Sequence, residues 1–254
     1  MRGSMAETPT AAVLIIGNEI LSGRTQDANL AHIARVLGTR GIRVREARVV
    51  EDDVAAIVEA VNALRARYTY VFTTGGIGPT HDDVTAQAIA QAFGRPLVRD
   101  PEAERRLLAF YPPEKRTPAR MKMADVPQGA ELVDNPVSAA PGFRVENVYV
   151  LPGVPVILQA MLDLLAPRLA GGPPLVSRTL VTYAPEGEIA ERLAAVQARH
   201  PEVTIGSYPF MRLGTLGTSV VFRASDAEAV ARAASDFLAV MTAAGVRVDE
   251  EVLA

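Results

Sequence analysis

The sequence predicts an α/β protein whose main unit is a mostly parallel sheet with helices on both faces, followed by a smaller α+β unit. Strand-period and helix-period segments alternate through the first half of the chain. Glycine-bearing loops follow the strands instead of closing hairpins. A turn-forming stretch, Ala170-Gly171-Gly172-Pro173-Pro174, cannot continue a helix and separates two blocks with different element order.

Residues 12–17 are an apolar run ending in glycine and read as the first strand. Residues 18–23 read as a loop, and Leu30, Ile33, Ala34 and Leu37 then mark one face of a helix. Residues 43–50 form a second strand, 54–67 a helix with Ile57, Val58, Val61 and Leu64 inward, and 68–74 a third strand rich in β-branched and aromatic residues. This β-α-β-α-β rhythm is what implies the parallel sheet. A helix follows from Val84 and another over 101–111. Residues 131–151 read as two or three short strands broken at Asn135-Pro136 and Ala140-Pro141-Gly142, and residues 156–169 as the closing helix. The expected units are 11–170 and 175–254. In the second, strand 178–183, helix 187–199, strands 203–208 and 218–224 and helix 226–244 give a βαββα order.

With 254 residues, 49% of them hydrophobic, the chain can bury a core in each unit. A net charge of −3 offers no general attraction for nucleic acid or anionic membrane, so small-molecule partners are expected. The absence of cysteine excludes disulfides, thiolate nucleophiles and cysteine-ligated metals, and suits a reducing compartment, with the cytoplasm as the expected location. No apolar run is long enough to span a bilayer. Met1-Arg2-Gly3-Ser4, ahead of Met5, reads as an expression-tag remnant.

The segment Thr73-Thr74-Gly75-Gly76-Ile77-Gly78-Pro79-Thr80-His81-Asp82-Asp83-Val84-Thr85 carries the strongest chemical signal. Glycines 75, 76 and 78 let successive backbone N–H groups face one concavity, and the following helix adds its positive end, so a phosphate is favoured there. Asp82 and Asp83 would repel that phosphate unless a divalent cation bridged them. Alternatively, Thr80-x-x-Asp83 is a capping box and Asp82 complements the helix dipole. In a parallel sheet the loops at the carboxyl ends of strands share one edge, so Glu19, Asp27, Asn18 and Asn29 are expected beside Asp82 and Asp83, as oxygen ligands for a hard cation. Asp27 and Asn29 read equally as N-caps. His81 is the histidine placed to touch a phosphate, whereas His32 and His200 read as surface features. Residues 116–122 concentrate positive charge in an irregular segment, which could neutralise a second phosphate or be a solvated face. Gly214-Thr215-Leu216-Gly217 matches the G-x-x-G of nucleic-acid-binding loops but sits where a hairpin is expected.

Gly17-Asn18-Glu19-Ile20-Leu21-Ser22-Gly23-Arg24-Thr25-Gln26-Asp27-Ala28-Asn29, the glycine segment 74–85 and Pro152-Gly153-Val154-Pro155 together resemble the molybdopterin-binding domain of the competence/damage-inducible protein A family. They are also similar to the molybdopterin-binding-like domain of eukaryotic FAD synthases. The resemblance implies a three-layer α/β fold of molybdopterin-binding type over residues 11–170. It also implies Mg²⁺, Mn²⁺ or Co²⁺ held at Asp83, and cleavage of the pyrophosphate of ADP-ribose or FAD with release of AMP. Asp83, Asp82 and Glu19 are the expected catalytic residues, and Asp27 joins them as a metal ligand. Gly75, Gly76, Gly78, Thr80, His81, Asn29, Asn135, Ser138 and Gly153 are the expected phosphate- or nucleotide-binding residues. A molybdopterin-binding or adenylyl-transfer protein, and a non-catalytic nucleotide-binding or partner-recruiting protein, are the alternatives. A homo-oligomer is expected. The sequence departs from the family pattern in having Asn18 for Asp, Ser138 for Gly and Ile157 for an acid, and the nicotinamide-nucleotide deamidase domain of longer members is expected to be absent.

Overall fold

The structure, a computed structural model, describes residues 8–212 and 214–251. The tag-like start of the chain lies outside these residues. Contacts divide the chain between Gly172 and Pro173, and each unit has its own core.

The first unit runs β1 (Thr10–Ile16), α1 (Asn18–Leu21), α2 (Asn29–Thr39), β2 (Arg43–Val50), α3 (Val54–Arg65), β3 (Tyr70–Thr74), α4 (Thr85–Ala92), β4 (Leu97–Arg99), α5 (Pro101–Phe110), α6 (Pro118–Met121), β5 (Asp125–Pro127), β6 (Glu131–Val133), β7 (Gly142–Val145), β8 (Val148–Leu151) and α7 (Pro155–Leu165). Its six-stranded sheet has the order β2-β1-β3-β8-β7-β6, parallel through β8 and antiparallel beyond it.

β1 organises the layers. Residues 11–16 are all buried, and strand alternation sends them to opposite faces. Ala12, Leu14 and Ile16 pack with Ile57, Val61, Leu64 and Ile89 of α3 and α4. Ala11, Val13 and Ile15 pack with Ile33 and Leu37 of α2 and Leu158 and Leu162 of α7. The helical periodicities seen in the sequence are thus two stripes closing over one sheet. Because β1 lies between β2 and β3, the chain leaves it in opposite directions, which opens a crevice at the carboxyl ends of β1 and β3. The short β4/β5 ladder lies off the main sheet, and α5 packs Ala103 and Leu107 on Ala124 nearby.

The second unit runs β9 (Val176–Thr182), α8 (Glu186–Arg199), β10 (Thr204–Arg212), β11 (Thr215–Ala224), α9 (Ala227–Ala243) and β12 (Val248–Glu251), as an antiparallel sheet of order β10-β11-β9-β12. Phe222 and Phe237 centre its core, with ring centroids 5.7 Å apart.

Several expectations needed correction. The expected loop 18–23 contains a four-residue helix, and the basic segment 116–122 contains α6, started by the Thr117 hydroxyl accepting from Arg120 N. β4, β5 and β12, none longer than four residues, are too short to show a period, and β12 turns the expected βαββα order into βαββαβ. The expectation that the G-x-x-G stretch belongs to a hairpin holds, with Thr215 opposite Arg212 and Gly217 opposite Phe210. No helix among the described residues is long and apolar enough to cross a membrane.

Phe72 has no solvent exposure and stacks on Tyr149 at 5.2 Å between centroids. Phe72→Ala is expected to destabilise the first unit by about 3–5 kcal/mol, read by urea unfolding followed by circular dichroism. A loss below about 1 kcal/mol would contradict this packing.

Candidate functional site

The loops after β1, β2, β3 and β8 leave the same end of the parallel sheet and enclose a cavity of about 480 Å³. Its floor is the glycine turn. Gly75 N donates to Leu151 O at 3.1 Å, Thr85 Oγ1 donates to Gly75 O at 3.0 Å, and Thr85 N donates to Gly76 O at 3.0 Å. Gly75 and Gly76 have φ of 100° and 65°, the left-handed region that glycine tolerates without strain. Any Cβ at Gly75 would run into Ile16 O, and one at Gly153 would stand 3.3 Å from Gly75 Cα. The ends of β1, β3 and β8 therefore meet backbone to backbone. Gly76, Ile77 and Gly78 line the cavity, and among the described residues their N–H groups donate to no protein acceptor. The start of α7 also faces it, through Gly153 and Val154, with no side chain capping the helix.

Four carboxylates share this wall: Glu19, Asp52, Asp82 and Asp83. Glu19 folds back over Gly17, where an added Cβ would stand 2.7 Å from Oε1. Asp52 Oδ2 accepts from Asn18 N at 2.8 Å. Asp83 Oδ2 accepts from Thr80 N at 2.7 Å and from the Thr80 hydroxyl. The same Thr80 hydroxyl, which the neighbouring Asp82 carboxyl shares with Asp83, combines with Asp82's own amide to hold the Asp82 carboxyl below its ordinary pKa. Among the described residues, no lysine, arginine or histidine lines the cavity.

Asp52 was missed in the sequence, although it follows the second strand and so belongs to the same edge by the rule that brought in Glu19. The capping-box alternative is corrected as well. Thr80 and Asp83 do bond to each other, but α4 begins only at Thr85, so they close a free-standing turn ahead of the helix.

Other expected site residues have different roles. His81 projects into solvent with its side chain 98% exposed and does not line the cavity, nor does Thr80. Asp27 and Asn29 line an adjoining depression of about 60 Å³ that shares Glu19 and Gly153 with the cavity. Asp27 Oδ1 accepts from Leu30 N at 2.8 Å and so starts α2, while buried Asn29 donates from Nδ2 to Gly153 O at 2.8 Å. Asn135 and Ser138 line the cavity. The Asn135 amide is engaged within its own loop, however, donating to Ser138 Oγ and Ala140 O and accepting from Val137 N and Ser138 N.

Among the described residues, no three carboxylate or imidazole groups lie close enough to hold a metal ion by themselves, so the expected four-acid set does not form a closed cage. The oxygen-only chemistry of the wall fits a hard cation, provided that ligand oxygens complete its shell. The basic segment 116–122 does not supply the cavity with cations. Arg116 donates to the carbonyls of Leu108 and Tyr111, Arg120 to that of Lys115, and Lys122 to those of Thr80 and Asp83. His32 and His200 are also covered, each 15% exposed, His32 beside Asp163 and His200 bonded to Asp236 at 3.1 Å.

Residues 12–171 match the protein family described as "Probable molybdopterin binding domain", and residues 174–250 match "FAD synthase, middle domain". The chain is 40% identical over 209 residues to a CinA-like protein of Desulfosudis oleivorans, covering 77% of this chain and 51% of that one. It is 33% identical over 250 residues to a probable FAD synthase of Caenorhabditis briggsae, covering 87% and 47%. It thus spans about half the length of both relatives. Among solved structures it is similar to the protein CinA of Thermoplasma acidophilum, described as of unknown function, with 36% identity and a TM-score of 0.60 over 63% of this chain and 98% of that one.

Because the Thr80 hydroxyl lowers the Asp82 pKa, its stabilising effect is present above the ordinary carboxylate pKa and is lost as pH falls through the lowered value. In metal-free protein, Thr80→Val is expected to move the Asp82 carboxyl titration upward towards the ordinary carboxylate range, followed by carbon-detected NMR. An unmoved titration would show that Thr80 is not the cause.

Proposed function

The chain belongs to the family of the probable molybdopterin-binding domain, and from that premise we propose that its cavity hydrolyses the pyrophosphate of adenine dinucleotides of the ADP-ribose or FAD type. A divalent cation would assist, and AMP would be released. The observation that carries this reading is the meeting, in one cavity, of three unpartnered amides, four carboxylates and no cationic side chain. The amides and the start of α7 attract a phosphate. The carboxylates, which share its wall, repel it. A cation between them reconciles the two.

In this reading Gly76, Ile77 and Gly78 grip one phosphate through their N–H groups. Asp82 and Asp83 would hold the cation, with Glu19 and Asp52 adding negative charge on the same wall. The Ser138 hydroxyl, which accepts from Asn135, keeps its own proton free to donate to the ligand. When bound, the cation would polarise the phosphorus centre and lower the pKa of the attacking water. Water attack at phosphorus breaks the bridging P–O bond, and the departing phosphate carries the second product. The cavity volume lies within the range of small-molecule sites. The FAD synthase relationship of both units favours a flavin or adenine dinucleotide.

The family description itself favours a second reading, a pterin-binding or adenylyl-transfer protein. A pterin that copurifies with the protein, or ATP consumption dependent on molybdopterin, would separate the two. Assembly into a homo-oligomer in the cytoplasm belongs to the same proposal, and light scattering reads the oligomer.

Metal-stripped protein incubated with ADP-ribose, FAD or NAD is expected to release AMP only when Mg²⁺, Mn²⁺ or Co²⁺ is added, as followed by chromatography. Asp83→Asn keeps an acceptor for Thr80 N but loses the charge, and is expected to lower turnover on the order of 100-fold or more without unfolding the chain. Absence of AMP release from folded wild-type protein under every metal would overturn the hydrolase reading.

A further inference from the structure

The chain has 24 arginines and only two lysines, Lys115 and Lys122. Arginine makes its surface ion pairs, as in Arg99 with Asp125 and Arg178 with Glu250. Lys122 is used differently. Its half-buried side chain reaches across about forty residues of sequence and places Nζ 2.9 Å from Asp83 O and 3.3 Å from Thr80 O, bonding to both ends of the turn that carries Asp82 and Asp83. The same turn is closed from within by Thr80 N and the Thr80 hydroxyl on the Asp83 carboxylate. Lys122 also lines a depression of about 20 Å³ behind the glycine turn, whose wall includes Gly76, Gly78 and Asp83.

We infer that Lys122 is a positioning residue of the cavity, whose ammonium clamps the Thr80–Asp83 turn through two carbonyls and so fixes how Asp82 and Asp83 are presented to a cation and a phosphate. The inference rests on the reading of the cavity as a cation-assisted phosphate site and adds a residue which that reading does not use. An ammonium carries three donors on one atom, so two carbonyls three residues apart can converge on it. A guanidinium meets two such carbonyls with separate nitrogens, as Arg116 does with those of Tyr111 and Leu108, and so cannot draw both to one atom. The charge matters as well as the shape. Asp83 directs its carboxylate to Thr80, Asp82 is exposed beside it, and Lys122 places one positive charge on the main chain behind both, where it offsets their mutual repulsion without blocking the cavity. Its pull contributes, in small part, to the low pKa of Asp82. The lysine further ties the lobe of α5, α6 and β5 to the rim of the site, since Lys122 directly follows α6.

The test uses the full chain with Lys122→Met, Lys122→Arg and, as a control, Lys115→Met. Amide hydrogen exchange at residues 80–83 is measured in metal-free protein, and Mn²⁺ affinity is measured by calorimetry with and without inorganic phosphate. Both Lys122 variants are expected to speed exchange in the turn and weaken Mn²⁺ binding by about tenfold, the loss of one charge-assisted contact, while Lys115→Met matches wild type. Wild-type exchange and affinity in Lys122→Met would overturn the inference, as would full recovery in Lys122→Arg. Should Lys122→Met fail to fold, the arginine variant alone decides by the same readouts. Should wild-type protein bind no Mn²⁺, the exchange measurement decides. Absence of AMP release from wild type refutes the hydrolase reading and leaves the exchange readout to judge Lys122 independently.

Discussion

The close approach of three backbone segments at Gly75 is the constraint on which the site depends. Its N–H is bonded to the end of β8, its α-carbon faces Ile16 O at the end of β1, and Gly153 leaves no side chain between it and the loop after β8. A side chain at Gly75 or Gly153 would part these strand ends. With the strands together, their loops share one wall, and the amides that follow Gly75 take no part in the hydrogen bonding of the sheet. The parallel sheet is thus a means of bringing residues from positions near 19, 52, 82 and 153 to one place.

That convergence creates an electrostatic conflict. Unpartnered amides and an uncapped helix start attract anions, while Glu19, Asp52, Asp82 and Asp83 repel them. The protein does not relieve this with side-chain cations at the cavity surface. Its arginines in the neighbouring lobe bond to that lobe's own carbonyls, and Lys122 acts from behind on the main chain of the acidic turn. The conflict is what the proposed cation-assisted phosphate site would resolve, with ligand oxygens completing a shell that these carboxylates do not close by themselves.

The second unit has its own core, and its fold needs nothing from the cavity. Its sheet order β10-β11-β9-β12 depended on β12, which the sequence does not signal because Val248-Asp249-Glu250-Glu251 has one apolar residue followed by three acids and so shows no strand period. The G-x-x-G stretch illustrates the converse. Its glycines match a nucleic-acid loop pattern, but its place between two strand-period segments pointed to a hairpin, and the register of β10 against β11 pairs Thr215 with Arg212 and Gly217 with Phe210.

The sequence by itself determined the layered α/β architecture of the first unit, because strand and helix periods are properties of consecutive residues, and the glycine turn, because only glycine accepts the left-handed backbone at 75 and 76. It also determined that Glu19, Asp82 and Asp83 stand together at the carboxyl edge of the parallel sheet. Only the tertiary structure decided that Asp52 joins them, that Asp27 instead starts a helix, that Asn135 is engaged in its own loop, that His81 faces solvent and that Lys122 grips the acidic turn. The physical reason is that a polar side chain's function depends on which partners already satisfy it. Those partners are set by the packing of segments tens of residues apart, which no local pattern in the chain records.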